Sequence, residues 1–303
     1  MSQPLITIIT NTYNRAHLLS RCIESIQKQT YQHYEHIISD GCSTDNTEEV
    51  VRSYNDPHIK YIRVSGGPVA QMREAFKLSK GEYITFLDDD DEYKEEKLQK
   101  QLELIESLPA EYGFIYGTMS YYDNDTKEFK GDHVAELDGG RELLPIAIGG
   151  SVICGTPSLM YRREAFASIG GSWIAGIGND ASDWALACAT LKYGWKVAPL
   201  RESYNKIYVN HSSKRLSNPD FYKDACARYI KFHNYFLTEY ADVIAEHPLS
   251  AILHYKTLMY YYTMDGQWSM ALSMWKKLLT TKFTLRGLVL FPYYIAKRIF
   301  NKK

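Results

Sequence analysis

Apolar runs and helical stripes alternate along the first half of the chain. Leu5-Ile6-Thr7-Ile8-Ile9-Thr10 is a β-branched run suited to a strand buried on both faces. Ala16 to Gln29 then places Leu18, Leu19, Cys22, Ile23 and Ile26 on one helical face. The alternation repeats. His36-Ile37-Ile38 reads as a second strand ended by Asp40-Gly41, and Thr44 or Asp45 can cap a helix running to about Tyr54. Ile59 to Val64 is a third strand, broken by Gly66-Gly67-Pro68 before a helix over Val69 to Ser79. Tyr83 to Leu87 is a fourth strand, Glu95 to Ser107 a fourth helix and Phe114 to Met119 a fifth strand. This order predicts an α/β fold with a mainly parallel central sheet and helices on its faces.

Beyond residue 130 the pattern changes. Gly131 to Gly178 is irregular and rich in Gly and Ser, with short apolar pieces such as Ser158-Leu159-Met160-Tyr161. A helix is expected from Ser182 to Tyr193, and two short strands at Val197–Leu200 and Lys206–Val209. From Asn218 onward the periodicity is helical: Phe221 to Leu237, Ala251 to Met264 and Gln267 to Leu279. The change of pattern near Ser213 to Asn218 sets the expected boundary between a first domain, 1–215, and a helical C-terminal extension, 216–303. Within the first domain, the regularly alternating half, 1–110, gives way to the irregular half, 111–215.

Composition narrows the classes. A net charge of −1 argues against a general nucleic-acid binder. Five widely spaced cysteines without a CxxC pair suit small buried side chains in a reducing, cytoplasmic setting, not a disulfide frame. The start of the chain does not read as a signal peptide, and no apolar run reaches the ~20 residues that span a bilayer. Charge is unevenly spread. After Asp265 there is no acidic residue, and Lys276, Lys277, Lys282, Arg286, Lys297, Arg298, Lys302 and Lys303 are interleaved with aliphatic and aromatic positions. Residues 276–303 are therefore expected to offer a peripheral contact to an anionic membrane surface, although Gly287 and Pro292 should interrupt the helix.

Candidate chemistry gathers at strand ends, where an open parallel sheet binds its ligands. The fourth strand drives into Asp88-Asp89-Asp90-Asp91. Four adjacent like charges read either as a site for a hard divalent cation or as an acidic turn capping the helix that follows. The first strand ends in Asn11-Thr12-Tyr13-Asn14-Arg15 and the second in Ser39-Asp40-Gly41. The set suits a nucleotide: an aromatic ring for a base, a carboxylate for an imide N–H or ribose, and acids holding a cation against a diphosphate. Tyr13 equally suits packing, and Ser43 to Asp45 read as turn and cap chemistry.

The ordered set of motifs resembles glycosyltransferase family 2. It comprises Ile8-Ile9-Thr10-Asn11-Thr12-Tyr13-Asn14-Arg15, Ser25-Ile26 to Gln29-Thr30-Tyr31, Asp40 to Thr47, Lys80 to Asp91 and Lys97-Leu98. It covers the first 110 residues, and thinner matches follow at Pro157 to Arg162 and Asn179 to Leu186. The resemblance implies a GT-A fold and an inverting, metal-assisted transfer from a nucleotide-sugar donor, a UDP-sugar first. The acceptor it implies is a saccharide or lipid-linked glycan in surface polysaccharide synthesis, at the inner face of the cell membrane. It also implies roles. Asp40, with Thr12, Tyr13 and Asn14, would line the base pocket. Asp88 and Asp90 match the DxD acids, Asp90 first as ligand to Mn²⁺ or Mg²⁺ and Asp88 or Asp89 toward ribose; Asp88 stays a second metal candidate. Asp183 would be the general base, with Asp180 its substitute, and His211 would lie near the diphosphate or metal. Trp173 would either stack on a sugar or pack in the core. The family's Ala-Arg-Asn-like triplet is replaced by Gln71-Met72-Arg73, which leaves Arg73 as the candidate donor contact there.

Two other classes stay on the table. A nucleotide-sugar-binding protein without turnover would keep the donor pocket while Asp183 served only structure. A nucleotidyltransferase would show a Gly-rich, basic phosphate loop after the first strand, and a dinucleotide-binding dehydrogenase would show GxGxxG; the sequence has neither.

Overall fold

A computed structural model describes residues 3–153, 155–177, 182–209 and 225–300. The chain divides into two compact units. The first comprises Met1–Arg141, Ile153–Ala175 and Asp183–Ser213; the second comprises Glu142–Val152, Gly176–Ser182 and Lys214–Lys303.

The first unit is built on one mixed sheet. Its strands are β1 (Ile6–Thr12), β2 (Tyr34–Asp40), β3 (Ile59–Arg63), β4 (Tyr83–Phe86), β5 (Glu92–Tyr93), β6 (Tyr112–Asp123), β7 (Phe129–His133), β8 (Leu159–Arg162) and β9 (Lys196–Val209). Spatial order is β3-β2-β1-β4-β8-β6-β9-β5, with β7 beside β6. The pairs β3-β2, β2-β1 and β1-β4 are parallel. Beyond β4 the direction reverses, because β8 runs antiparallel to both β4 and β6. The helices α1 (Ala16–Gln27), α2 (Thr47–Ser53), α3 (Pro68–Leu78) and α4 (Lys97–Ser107) follow β1, β2, β3 and β5. Leu19, Cys22, Ile23 and Ile26 of α1 are buried together with Ile6, Ile8 and Ile38 of the sheet, which is the stripe that the 3.6-residue period requires.

Three local readings differ from the sequence expectation. The acidic run does not cap a helix: β5 intervenes, and α4 begins at Lys97. Instead Asp88 to Asp91 form a turn, in which the Asp91 N–H donates to the Asp88 carbonyl (3.1 Å). The two strands expected between 197 and 209 are one 14-residue strand. Pro199 lies within that strand opposite Tyr116 of β6, and the register slips beyond the next pair, between Gly117 and Thr118. The C-terminal helix also runs unbroken from Leu285 to Phe300, with Pro292 inside it.

The second unit is helical: α5 (Leu144–Gly149), α8 (Ala225–Glu239), α9 (Ala241–Glu246), α10 (Ile252–Asp265), α11 (Trp268–Thr281) and α12 (Leu285–Phe300). The intervening α6 (Arg163–Ser168) and α7 (Ser182–Lys192) follow β8 and precede β9. Leu258, Met259, Tyr262, Ala271, Met274 and Leu278 form the core of this unit, with Leu290, Phe291 and Tyr294 of α12 packed on it. That packing offsets the roughly 3 kcal/mol a mid-helix proline costs, which explains why α12 continues through Pro292.

Candidate active site

The carboxyl ends of β1, β2 and β4 converge, because the strands are parallel neighbours and their tips fall in register: Thr12 lies opposite Asp40, and Ile9 opposite Phe86. Both β1 and β2 leave the sheet through left-handed residues, Asn14 (φ 51°) and Cys42 (φ 66°). Such conformations cluster where a backbone is held for function. The two turns lock together. Asn14 N–H donates to Ser43 Oγ (2.8 Å), Thr44 N–H donates to Asn14 Oδ1 (2.7 Å), and Gly41 N–H donates to the Thr12 carbonyl (2.9 Å). A Cβ on Gly41 would stand 3.2 Å from the Tyr13 ring, so glycine lets that ring lie against the β2 tip. Tyr13 remains 57% exposed, a flat aromatic face open to a ligand.

Asp40 is fully buried and already holds three donors: Ser43 N–H (3.0 Å), Ser43 Oγ–H and Tyr61 O–H (2.6 Å). It fastens the β2 tip to β3, and a base would reach it only by exchanging one of these bonds. Gln71, which stands in the departing triplet, is the clamp beside it. Its buried amide donates to the carbonyls of Thr12 (3.1 Å) and Ser39 (2.7 Å), tying the β1 and β2 tips together. Arg73, two residues on, is mostly exposed and lies 3.8 Å from Glu74.

The acidic run divides by partner. Asp91 is buried and accepts from the Tyr208 N–H of β9 (2.8 Å). Asp89 accepts from Thr12 Oγ1 (2.8 Å) and from Arg15 Nη1 (2.6 Å), and Asp90 accepts from Arg15 Nη2 (2.5 Å). Arg15 thus forks across two adjacent carboxylates, the planar geometry that guanidinium supplies and ammonium does not. Burial alone would lower the Arg15 pKa; the nearby Asp89, Asp90 and Asp88 outweigh it and raise it. Arg21 donates to the Asp90 carbonyl and lies 4.0 Å over the Tyr208 ring. Neither arginine carried a role in the sequence reading, although each lies close in sequence to the β1 tip that faces the acids.

Asp88 is the member open to solvent. Protein atoms nevertheless crowd it on its other sides. That crowding raises its pKa, and Asp90, Asp89 and Asp183 add to the rise, against Arg15. Accessibility is what matters for a ligand, and water reaching the group moderates the shift. Asp89 is also raised, by burial first, with Arg15 opposing.

Asp183 comes from the other end of the unit, in the first turn of α7. Its Oδ2 accepts from Gly155 N–H (2.5 Å) and its Oδ1 from Trp184 N–H (2.9 Å). Burial raises its pKa, while those two amides and the nearby His133 of β7 oppose the rise. Gly155 carries φ +90°, and a Cβ there would collide with Met119, so only glycine sets this N–H at the carboxylate. Asp183 and Asp88 share one electrostatic environment although 95 residues of sequence separate them. Trp173 is buried and packs on Phe86, two residues before the acidic run, with ring centroids 5.2 Å apart. Asp180 and His211 lie outside the described residues.

The chemistry of the set fits a hard cation. Asp88 presents a reachable carboxylate amid like charges that a cation would relieve. No cage of three or more ligating side chains occurs among the described residues. The fitting pattern is therefore one or two carboxylates, with the remaining oxygens from water and a diphosphate.

Comparison with known proteins agrees with this architecture. The family model described as glycosyl transferase family 2 matches residues 7–170. The chain is 33% identical over 128 residues to WfgD of Escherichia coli, a UDP-Glc:alpha-D-GlcNAc-diphosphoundecaprenol beta-1,3-glucosyltransferase; the match covers 42% of this chain and 50% of WfgD. The chain spans about half, or less, of the length of the curated relatives it matches. Among solved structures, Staphylococcus aureus TarS in complex with UDP-GlcNAc superposes with a TM-score of 0.61 at 16% identity, covering 98% of this chain and 88% of TarS. The mannosyltransferase PcManGT of Pyrobaculum calidifontis, in complex with GDP-Man and Mn²⁺, gives 0.57 at 15% identity over 100% of this chain and 89% of its own. The likeness establishes the GT-A fold, with its mixed sheet and helical C-terminal region. With the family model matched across more than half its length, this chain belongs to glycosyl transferase family 2.

Proposed function

We propose that this protein transfers a hexose-type sugar from a nucleoside-diphosphate donor, a UDP-sugar first, to a saccharide or lipid-linked glycan acceptor, with inversion at the anomeric carbon. The observation that supports this reading is the convergence of the β1, β2 and β4 tips, with Asp183 within electrostatic reach of Asp88. In the proposed reaction an acceptor hydroxyl attacks the anomeric carbon, its proton passes to an Asp183 oxygen, and the nucleoside diphosphate leaves from the opposite face. A carboxyl raised above its ordinary pKa is better matched to taking a proton near neutral pH. Tyr13 offers the base a stacking face, Thr12 and Asn14 shape the turn beneath it, and Asp40 offers an acceptor if it exchanges a donor.

Asp88, and Asp90 if it exchanges its Arg15 bond, would hold Mn²⁺ or Mg²⁺ together with diphosphate oxygens, while Asp89 stays with Thr12 and Arg15. When bound, the cation supplies charge neutralisation of the leaving group. The names of WfgD and TarS favour UDP-linked donors, and that of WfgD favours a diphosphoundecaprenol-linked acceptor, which would place the enzyme at a membrane surface.

The test is Asp183→Asn. Donor binding by calorimetry should persist while transfer falls by about 10²–10⁴-fold, the usual worth of a positioned general base. Unchanged transfer removes Asp183 from the chemistry. Donor binding by the wild type with no transfer to any glycan acceptor returns the protein to the class of binders without turnover.

A further inference from the structure

Helix α12 is apolar on two opposite faces, and among the described residues a protein partner accounts for one of them. On the inner face, Leu290, Phe291 and Tyr294 join the core made by α10 and α11. Gly287 is buried there and its carbonyl accepts from Trp275 Nε1 (2.8 Å). Arg298 donates to the Thr263 carbonyl (2.7 Å), with its guanidinium 4.9 Å over the Trp268 ring. A surface helix with its apolar stripe so used should be charged on the other side.

The outer face does the reverse. At 100° per residue, 289, 292, 293 and 296 fall on one arc opposite 287, 291 and 294. They are Val289, Pro292, Tyr293 and Ala296. Val289 is 60% exposed and Tyr293 58%, and Phe283 just before the helix is 67% exposed. The cations lie around this stripe: Lys282 beside Phe283, and Lys297 one turn beyond Tyr293, both exposed. The 38 residues after Asp265 contain eight Lys or Arg and no Asp or Glu.

We infer that this outer face is a membrane-contact surface that lies in the head-group layer of an anionic bilayer, with Phe283, Val289 and Tyr293 inserted. Charge complementarity names the occupant: an apolar stripe flanked by Lys282 and Lys297, in a stretch of sequence without acidic residues, matches anionic lipid. Length agrees. Sixteen residues make a helix of about 24 Å, short of the ~30 Å hydrocarbon core, and no described helix is long and apolar enough to cross a membrane. The helix lies on the membrane. Pro292 points the same way: it has no N–H for the Leu288 carbonyl, and the hydrated interface supplies donors that a dry protein partner would withhold. The inference deepens the lipid-linked acceptor reading above, and its readout is independent of donor chemistry.

The experiment uses the full chain and vesicles of phosphatidylcholine, with or without about one-third phosphatidylglycerol, read by co-sedimentation. The wild type should bind the anionic vesicles at least about tenfold more tightly than the neutral ones, and lose most of that binding between about 0.1 M and about 0.5 M salt. The double variant Val289→Ser/Tyr293→Ser should lose about tenfold in binding, with its thermal midpoint and any nucleotide-sugar response unchanged. Without any variant, hydrogen exchange across residues 283–297 should slow when anionic vesicles are added. Equal binding by the double variant, unaltered exchange, or no preference for anionic lipid each overturns the inference. So does a wild-type dimer that the double variant dissociates, because a second copy would then cover the face.

Discussion

Removing the Arg15 fork should destabilise the first unit in a pH-dependent way. In Arg15→Met two charge-assisted hydrogen bonds are lost, at 2.6 Å to Asp89 and 2.5 Å to Asp90, and two nearly buried carboxylates are left facing each other. Deleting one partner of a buried pair costs about 3–5 kcal/mol. Arg15 keeps 21% of its side-chain surface in water, so the expected cost is smaller, about 2–3 kcal/mol. At about 2–4 °C per kcal/mol for a unit of this size, the midpoint should fall by about 4–12 °C. The assay is thermal unfolding by circular dichroism in chelator-treated buffer. The pH sign follows from Asp89, whose folded pKa is already raised by burial with Arg15 holding the rise in check. A carboxyl raised in the folded state favours folding below its unfolded pKa and loses that contribution as pH rises through the folded value. Without Arg15 the folded value climbs further, so the deficit should be smaller near pH 5 and larger near pH 8. Arg15→Lys, which keeps the charge and loses the fork, should recover only part of the loss. A midpoint within about 1 °C of wild type at both pH values would refute the claim that Arg15 holds the turn.

Other changes probe the same frame. Gln71→Leu removes both amide donors, leaving the Thr12 carbonyl to the Gly41 N–H, and should cost about 1–3 kcal/mol in denaturant unfolding, with weaker nucleotide-sugar binding because the clamp between the β1 and β2 tips is lost. Tyr61→Phe removes one of the donors to Asp40 and should cost about 1–2 kcal/mol, less than Asp40→Ala, which leaves all three donors without their acceptor. Gly155→Ala forces the backbone off φ +90° and displaces the N–H that holds the Asp183 pKa down; the acid limb of the pH–rate profile for transfer should move to higher pH, with kcat lowered more than KM.

Much of this fold is written locally. The parallel half was legible because each of β1 to β4 is a short β-branched or aromatic run between turn residues, and α1 and α4 carry clean apolar stripes. Position at a strand end singled out the acidic run and Asp40, and the structure brings both to tips of the parallel half of the sheet. The rest depends on contacts that no local pattern reports. The reversal at β8, the two-residue strand β5 and the length of β9 exist through pairing with strands distant in sequence. Arg15 could have been singled out, since a cation one turn past the β1 tip must face four acids at the neighbouring tip. Gln71 could not, because a buried side chain that answers two backbone carbonyls leaves no periodic trace. The proline in α12 misled for a similar reason: its cost is local, and the packing that offsets it is tertiary.

The account rests on acids from separate strands acting as one site for a cation and a nucleoside-diphosphate sugar. Thermal denaturation with a panel of UDP- and GDP-sugars, with and without Mn²⁺, tests it directly. At about 100 times Kd, bound ligand should add about 2.7 kcal/mol of stability and raise the midpoint by several degrees. The account predicts that one nucleotide sugar does so only with the cation present, and that Asp88→Asn abolishes the response while still folding. A panel in which no nucleotide sugar shifts the midpoint, or in which Asp88→Asn responds like the wild type, would contradict it.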